Sequence, residues 1–216
     1  MLTRTKGMNV MKVQLYADFT CPFSYMGKRR LDQAIEQSEE AIEFELKAFQ
    51  LTPDASTEKS MPTVDLLAKK FGRTREETLE TTKGLRAQAA EMGLQYNYDT
   101  MKAPNTKKPH QLTKWAATFG KSQEATEGFF RAIFTEGKDL NLEQDLLSVV
   151  EAIGLDTDRA KQVLANGEYA DAVDQDRMEA GHDGIRSVPV FVIDDKYMIT
   201  GVQPIELFLQ TFAKAK

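Results

Sequence analysis

The only cysteine of the chain lies in the segment Asp18-Phe19-Thr20-Cys21-Pro22-Phe23-Ser24-Tyr25-Met26-Gly27. Before it, residues 12–19 alternate between apolar and polar side chains, which is the period of a β-strand. Pro22 is tolerated in a first helical turn, and the apolar spacing after it predicts a helix as far as about Ser38. The sequence therefore predicts a strand, a tight turn and a helix, with the Cys21 thiol at the N-terminus of that helix.

Strand patterns recur on both sides of a long middle segment. Residues 41–51 alternate as a second strand, and residues 189–194 and 197–200 form a predicted hairpin around Asp194-Asp195-Lys196. Pro204 then opens a helix with an apolar face. The predicted order is β-α-β, a helical block, and β-β-α, in which a parallel strand pair and an antiparallel hairpin complete one sheet.

The middle segment, residues 52–186, is predicted to be helical because its apolar residues recur at helical spacing. Separate helices are predicted at 142–153, 158–165 and 169–182, and one short strand at 95–98. We therefore expect an α/β protein with two domains. Residues 1–51 and 187–216 form the first, which is discontinuous, and residues 52–186 form a helical insertion domain.

Composition limits the compartment and the partners. The chain has 28 Lys and Arg against 33 Asp and Glu, a net charge of −5, without the basic excess that nucleic-acid binding needs. No apolar run is long enough for a membrane span or a secretory signal, so no membrane partner is expected. One cysteine cannot form an internal disulfide, which favours a reducing, cytoplasmic location. No His, Cys and carboxylate cluster has ligand spacing, so no metal is predicted.

The segment 18–27 resembles the active-site segment of DsbA-like proteins of the FrnE type. Gly184 to Ile193, followed by Gly201-Val202-Gln203-Pro204, resembles their cis-proline strand and the hairpin after it. Asn105-Thr106 with His110, and Phe130-Arg131-Ala132 with Thr135-Glu136-Gly137, resemble pieces of their helical insertion. The resemblance covers nearly the whole chain in the same order. It implies a thioredoxin fold with a large all-helical insertion, a cis Val188–Pro189 bond beside Cys21, and Asn105 and His110 as pocket residues. Without the resemblance, His110 is interpreted as a structural histidine whose hydrogen bonds are satisfied.

The chain departs from the disulfide-exchanging members at Ser24. Those members carry C-x-x-C, whereas residues 21–24 read C-P-F-S, so the second thiol is replaced by a hydroxyl. The resemblance extends to kappa-class glutathione transferases and 2-hydroxychromene-2-carboxylate isomerases, which share the fold and place a serine where Cys21 stands. A thiol retained at that place argues for thiol chemistry.

Physical chemistry gives Cys21 two interpretations. A lone cysteine is most often a small buried hydrophobe. At a helix N-terminus, however, free N–H groups and the helix dipole favour the thiolate and lower its pKa. Ser24, one turn on, is then a donor to that thiolate or a local backbone partner. Asp18 also has two interpretations of equal weight: a buried proton acceptor, or the polar end of a strand.

The favoured function is a thiol-disulfide oxidoreductase in which Cys21 attacks a disulfide or a glutathionylated thiol, with an external thiol releasing the product. Cys21 and Ser24 are its predicted catalytic residues. Its predicted substrate-binding residues are Pro22, Phe23, Val188, Pro189, His110 and Asn105. No cofactor is expected to be tightly bound. The expected partner is glutathione or another low-molecular-weight thiol, or a disulfide-bearing protein, and the family resemblance implies a homodimer.

Two other functions remain open at this point. The first is a glutathione-dependent transferase or isomerase, in which Cys21 or Ser24 orients the sulfur of bound glutathione. The second is a binding or chaperone-like module that keeps the fold without catalysis. If the protein is such a module, we expect an ordinary Cys21 pKa and no covalent adduct on the thiol.

Overall fold

The computed structural model describes residues 10–215, so residues 1–9 and Lys216, which the domain prediction includes, lie outside the described part. In chain order the elements are β1 (Met11–Ala17), α1 (Pro22–Gln37), β2 (Ile42–Ala48), β3 (Met61–Pro62), α2 (Thr63–Phe71), α3 (Arg75–Glu91), β4 (Lys102–Ala103), α4 (Lys107–Ala117), α5 (Ser122–Phe134), α6 (Glu143–Ala152), α7 (Thr157–Ala165), α8 (Ala170–His182), β5 (Val190–Ile193), β6 (Tyr197–Thr200) and α9 (Ile205–Ala215). Within this described part, no helix has both the length and the apolar composition needed to cross a membrane.

Four strands form one sheet in the order β2-β1-β5-β6. β1 pairs with β2 in parallel and with β5 antiparallel, and β5 pairs antiparallel with β6. The central strand β1 therefore joins a pair from the N-terminal part of the chain to a hairpin from the C-terminal part. The predicted β-α-β and β-β-α halves of a thioredoxin-like α/β fold are confirmed.

The β5–β6 hairpin turns at the predicted place. Asp194 and Asp195 both have positive φ, at 50° and 52°. Two left-handed residues give the turn geometry whose twist matches the flanking strands. The Asp194 carboxylate also accepts a hydrogen bond from the Lys12 backbone N–H at 2.8 Å, which fixes the turn to the start of β1.

The segment between β2 and β5 contains helices α2 to α8, and it departs from the prediction in two places. Residues 95–98 have no regular secondary structure, so the predicted strand there is wrong. The Asn97 N–H donates instead to the Phe134 carbonyl at 2.7 Å, at the end of α5. The alternation of Tyr96 and Tyr98 reflects packing against aromatic rings, not pairing with a strand. The insertion does hold one two-stranded sheet, since β3 pairs antiparallel with β4.

A buried ionic cluster ties the sheet to the insertion. Asp176 on α8 is 2% exposed and accepts from Lys47 of β2 at 2.8 Å and from Lys114 of α4 at 2.5 Å. Its second partner on β2 is the Ala48 backbone N–H at 2.7 Å. A buried carboxylate is stable when it is paired and hydrogen-bonded in this way. The cluster therefore fixes α8 at the end of β2, near the turn that carries the cysteine.

Candidate active site around Cys21

Cys21 lies at the N-terminal end of α1, as predicted. It is the N-cap residue, with φ −86° and ψ 115°, and Pro22 is the first helical residue. The thiol is 5% exposed and free. It packs in a small apolar cluster with residues from β1, α8, the loop before β5, and β5 itself: Tyr16, Ala180, Ile185, Val188 and Val190. The cysteine is thus held between the two halves of the fold by apolar contacts.

The Val188–Pro189 segment closes one side of the thiol. The Cys21 Sγ donates to the Val188 carbonyl at 3.6 Å, across 167 residues of sequence. The Val188–Pro189 peptide bond is cis. The geometry therefore brings together Cys21, Val188 and Pro189, three of the residues that the sequence assigned to the site.

Gly27 makes this approach possible. A Cβ added to Gly27 would lie 2.8 Å from Pro189 Cγ and 3.0 Å from Phe191 Cζ. Carbon atoms in proteins do not approach this closely, so any larger residue would push α1 away from β5. In the sequence, Gly27 stands out only as part of the Cys21 motif. A glycine inside a helix is, however, itself a signal of close packing.

The expected low pKa of Cys21 is wrong. Burial among apolar side chains raises the pKa of the thiol, because the thiolate is poorly solvated there. The side-chain hydroxyl of Ser24 and the backbone N–H groups of Ser24 and Phe23 act in the opposite direction. The nearby Asp18 adds to the rise. The helix N-terminus does favour the anion, but the loss of water outweighs it in this closed arrangement.

Ser24 is buried completely and lies one turn after Cys21 on α1. Its hydroxyl has no hydrogen-bond partner among residues 10–215. A buried hydroxyl without a partner is costly, by about 1–3 kcal/mol. Because the Ser24 side chain lowers the pKa of Cys21, the thiolate is the acceptor that this hydroxyl is placed to serve. The structure therefore favours the predicted role of Ser24 as a donor to the thiolate over a purely local one.

Pro22 and Phe23 form the outer rim of the site. Phe23 is 44% exposed. The Pro22 carbonyl is held by the Tyr96 hydroxyl, which donates to it at 2.6 Å. Phe23 thus presents an apolar surface beside the cysteine, on a turn that the insertion holds in place.

Asp18 is 2% exposed and closes the loop on the other side of the turn. Its carboxylate accepts from the Thr20 N–H and hydroxyl at 3.0 Å each, and from the Leu51 N–H at 2.6 Å. Burial raises the pKa of Asp18, and these hydrogen bonds oppose the rise. The observed contacts tie the end of β1 to the residues after β2, so they support a structural role.

His110 and Asn105 are both buried, at 1% and 6% exposure. The His110 Nε2 lies 3.2 Å from the Phe49 carbonyl, which makes this nitrogen the protonated one, and burial lowers the pKa of His110 to about 3. The Asn105 side-chain amide donates to the carbonyls of Pro53 and Ala55 at 3.1 and 2.8 Å. Both residues therefore hold the loop after β2, and their contact with substrate stays a prediction.

A chain of aromatic rings lies between α1 and the insertion, and it was not predicted from the sequence. Tyr25 stacks on Phe130 at 4.9 Å and on Tyr96 at 6.0 Å, and Tyr96 meets Tyr98 edge-on at 6.2 Å. The signal available in the sequence was the density of aromatic residues near 94–98 and 129–134. These rings join α1 to the insertion, so the insertion supports the cysteine turn directly.

The chemistry that this site supports is that of a single nucleophilic sulfur. In the described part of the chain, no three His, Cys, Asp or Glu side chains are grouped closely enough to hold a metal ion. The groups around the sulfur are the Val188 carbonyl, which accepts from the thiol, the Ser24 hydroxyl and apolar side chains.

Comparison with known proteins agrees with this geometry. The family model of the DSBA-like thioredoxin domain matches residues 12–213. The crystal structure of probable DsbA oxidoreductase SCO1869 from Streptomyces coelicolor is 31% identical, covers 95% of this chain and 89% of that one, and has a TM-score of 0.88. Uncharacterized protein YwbO of Bacillus subtilis (strain 168) is 25% identical over 185 residues, 85% of this chain and 86% of YwbO. A structure of 2-hydroxychromene-2-carboxylate isomerase shares the fold, with 20% identity, 94% of each chain covered and a TM-score of 0.67. The chain therefore belongs to the DSBA-like thioredoxin domain family.

Proposed function

We propose that this protein is a monothiol thiol-disulfide oxidoreductase that acts through Cys21 on disulfides or glutathionylated thiols. One observation carries the proposal: the only thiol of the chain, on the N-cap residue of α1, lies beside the Val188 carbonyl and the cis Val188–Pro189 bond, with the Ser24 hydroxyl unpartnered one turn away. A merely structural cysteine would not need a buried donor without an acceptor. The family and the arrangement both support thiol chemistry.

In the proposed reaction, the Cys21 thiol first loses its proton to solvent or to a base on the substrate. The thiolate attacks one sulfur of a disulfide, the Cys21–sulfur bond forms, and the original disulfide bond breaks. The electron pair leaves with the departing sulfur, which then takes a proton. Ser24 stabilises the attacking thiolate by donating its hydroxyl hydrogen.

The product of this step is a mixed disulfide on Cys21. Ser24 cannot resolve it, because a hydroxyl does not displace a thiol from a disulfide under these conditions. An external thiol such as glutathione therefore attacks the mixed disulfide, restores Cys21 and completes the cycle. A reducing cytoplasm supplies such thiols. For the substrate, the exposed Phe23 side chain offers an apolar contact to a disulfide-bearing protein or peptide.

A second candidate is the glutathione-dependent isomerase or transferase activity. The observation in its favour is that burial raises the pKa of Cys21 and so favours the protonated thiol. A protonated thiol can orient the sulfur of bound glutathione without forming a bond to it. The isomerase whose fold this chain shares gives this candidate its reaction class.

Intact mass spectrometry separates the two candidates. The protein is incubated with glutathione disulfide, and in parallel with reduced glutathione and an electrophile. A single glutathionyl adduct that is absent from Cys21→Ala and is released by added glutathione supports the oxidoreductase. No adduct, together with glutathione-dependent turnover of the electrophile, supports the second candidate. If neither an adduct nor turnover is observed, both candidate activities are overturned and a binding module is left.

A further inference from the structure

The outer edge of β2 carries backbone groups that the sheet does not pair. β2 is the first strand in the order β2-β1-β5-β6, so β1 pairs with only one of its two edges. Just past the end of β2, the Phe49 N–H donates to the Ala17 carbonyl of β1 at 3.0 Å. Because successive residues of a strand direct their N–H and C=O groups to alternate sides, those of Phe44 and Leu46 point away from β1.

Only one end of this edge has a partner from the protein itself. The Ala48 N–H donates to the Asp176 carboxylate at 2.7 Å. Within residues 10–215, no hydrogen bond reaches the backbone groups of Phe44 and Leu46, although both residues are buried, at 9% and 4% exposure. Buried backbone N–H groups are nearly always hydrogen-bonded in native proteins, so this part of the edge lacks a partner.

A groove of about 560 Å³ runs along the same edge. Residues 42–46 line one wall, and the second wall comes from α4, the turn after it and the start of α5, including the small residues Ala117, Gly120 and Ser122. The length of the groove suits a strand of four or five residues. A groove with a second wall admits a single strand, whereas a second copy of the sheet would bring its own helices against α4 and α5.

The side chains around the groove indicate which strand fits. Phe44 and Leu46 point to one face of the sheet, and Glu43 and Glu45 point to the other. A strand paired with β2 continues this alternation, so apolar side chains suit the first face and polar ones the second. Glu45 is paired with Lys12 at 2.9 Å, whereas the exposed Glu43 has no ion pair within residues 10–215. A basic side chain beside Glu43 therefore complements the charge of the groove.

We propose that the outer edge of β2 binds an extended peptide segment of a partner protein, with alternating apolar and basic side chains, as a fifth strand of the sheet. The backbone groups of Phe44 and Leu46 form hydrogen bonds with the backbone of that segment and supply affinity, and the alternating side chains supply specificity. The site uses no group that surrounds Cys21, so this inference stands apart from the proposed function.

The test uses the acetylated and amidated peptide Val-Lys-Val-Lys-Val. Calorimetric titration measures its binding, and NMR measures the hydrogen exchange of the Phe44 and Leu46 amides. We expect one-to-one binding, and exchange of both amides slowed about tenfold at a peptide concentration of about ten times the Kd. Glu43→Gln should weaken binding about threefold, because it removes one exposed charge pair.

A second variant, Ala117→Phe, fills the groove. Ala117 is exposed and ends α4, so a larger side chain there leaves the core intact, and binding should weaken about tenfold. The matched control is Ala165→Phe, since Ala165 is also exposed and ends a helix, α7, but does not line the groove. The control should bind the peptide as the parent does.

Three results would overturn the proposal: no binding to the parent, parent affinity in Ala117→Phe, or binding without slower exchange at Phe44 and Leu46. A dimer in sedimentation velocity that Ala117→Phe dissociates would assign the edge to a second copy and also overturn it. None of these measurements involves Cys21, so each such result leaves the proposed function standing.

Discussion

Substitution of Ser24 by alanine tests how the buried thiol becomes reactive. Ser24→Ala removes only the side-chain hydroxyl group of a residue that is completely buried. It leaves the backbone N–H groups of α1 in place. Because the Ser24 side chain lowers the pKa of Cys21, its removal should raise that pKa further. The thiolate should then form at more alkaline pH than in the parent protein.

The magnitude follows from the strength of one hydrogen bond to a charged acceptor. Such a bond contributes about 1.5–3 kcal/mol, so the thiolate population at neutral pH should fall by about tenfold or more. A more basic thiolate is also a better nucleophile, with a Brønsted coefficient of about 0.4–0.5, which offsets part of the loss. The net expectation is that alkylation of Cys21 slows about four- to twentyfold.

The assay is the rate of alkylation by iodoacetamide as a function of pH, followed by intact mass. The control is Ser148→Ala on α6, where the hydroxyl donates to the Asp145 carbonyl within its own helix. We expect no change in the control, and a free energy of unfolding for Ser24→Ala equal to or above that of the parent, since the lost hydroxyl had no partner. A Ser24→Ala profile identical to the parent, or shifted to lower pH, would refute the assigned role of Ser24.

Three further predictions concern the site and its supports. Ser24→Cys should gain dithiol exchange, because the C-P-F-C spacing then permits an internal disulfide, and turnover of insulin disulfides with a reductant measures this gain. Gly27→Ala should lower the free energy of unfolding by about 1–3 kcal/mol in urea, since its Cβ would lie 2.8 Å from Pro189 Cγ, whereas Gly84→Ala has open space and should not lower it; equal losses would contradict the packing argument. His110 has a pKa of about 3 when folded, against 6.5 for the ordinary group, so the unfolded chain takes up a proton first and stability falls as the pH drops from about 6.5 to about 3. His110→Gln should flatten this slope in urea titrations at a series of pH values, and an unchanged slope would assign it to other groups.

Much of the scaffold could be predicted from the sequence because its signals are local. The alternation before Cys21, the proline after it and the Asp194-Asp195 turn each specify backbone geometry within a few residues. The predicted helices at 142–153, 158–165 and 169–182 correspond to α6, α7 and α8. The predicted strand at 95–98 failed because alternating tyrosines can pack against rings as well as against a sheet.

The electrostatics of the site could not be predicted in the same way. A helix N-terminus is visible in the sequence, but most of the apolar cluster that buries Cys21 comes from Ala180, Ile185, Val188 and Val190, which are distant along the chain. The desolvation of the thiol depends on these tertiary neighbours. The direction of the Cys21 pKa shift therefore could not be predicted from the residues around Cys21 in the sequence. The close fit of Gly27 on Pro189 and the unpartnered hydroxyl of Tyr98 also depend on tertiary packing, so they could not be predicted from the local sequence.

The most direct test of the account is steady-state turnover of a glutathionyl mixed disulfide by this protein with reduced glutathione as the resolving thiol. The same assay is run on Cys21→Ser, which keeps a small polar side chain at the N-terminus of α1. The account predicts glutathione consumption above the uncatalysed rate for the parent protein and its loss in Cys21→Ser. Equal rates for the two proteins would contradict the claim that Cys21 is the reacting group.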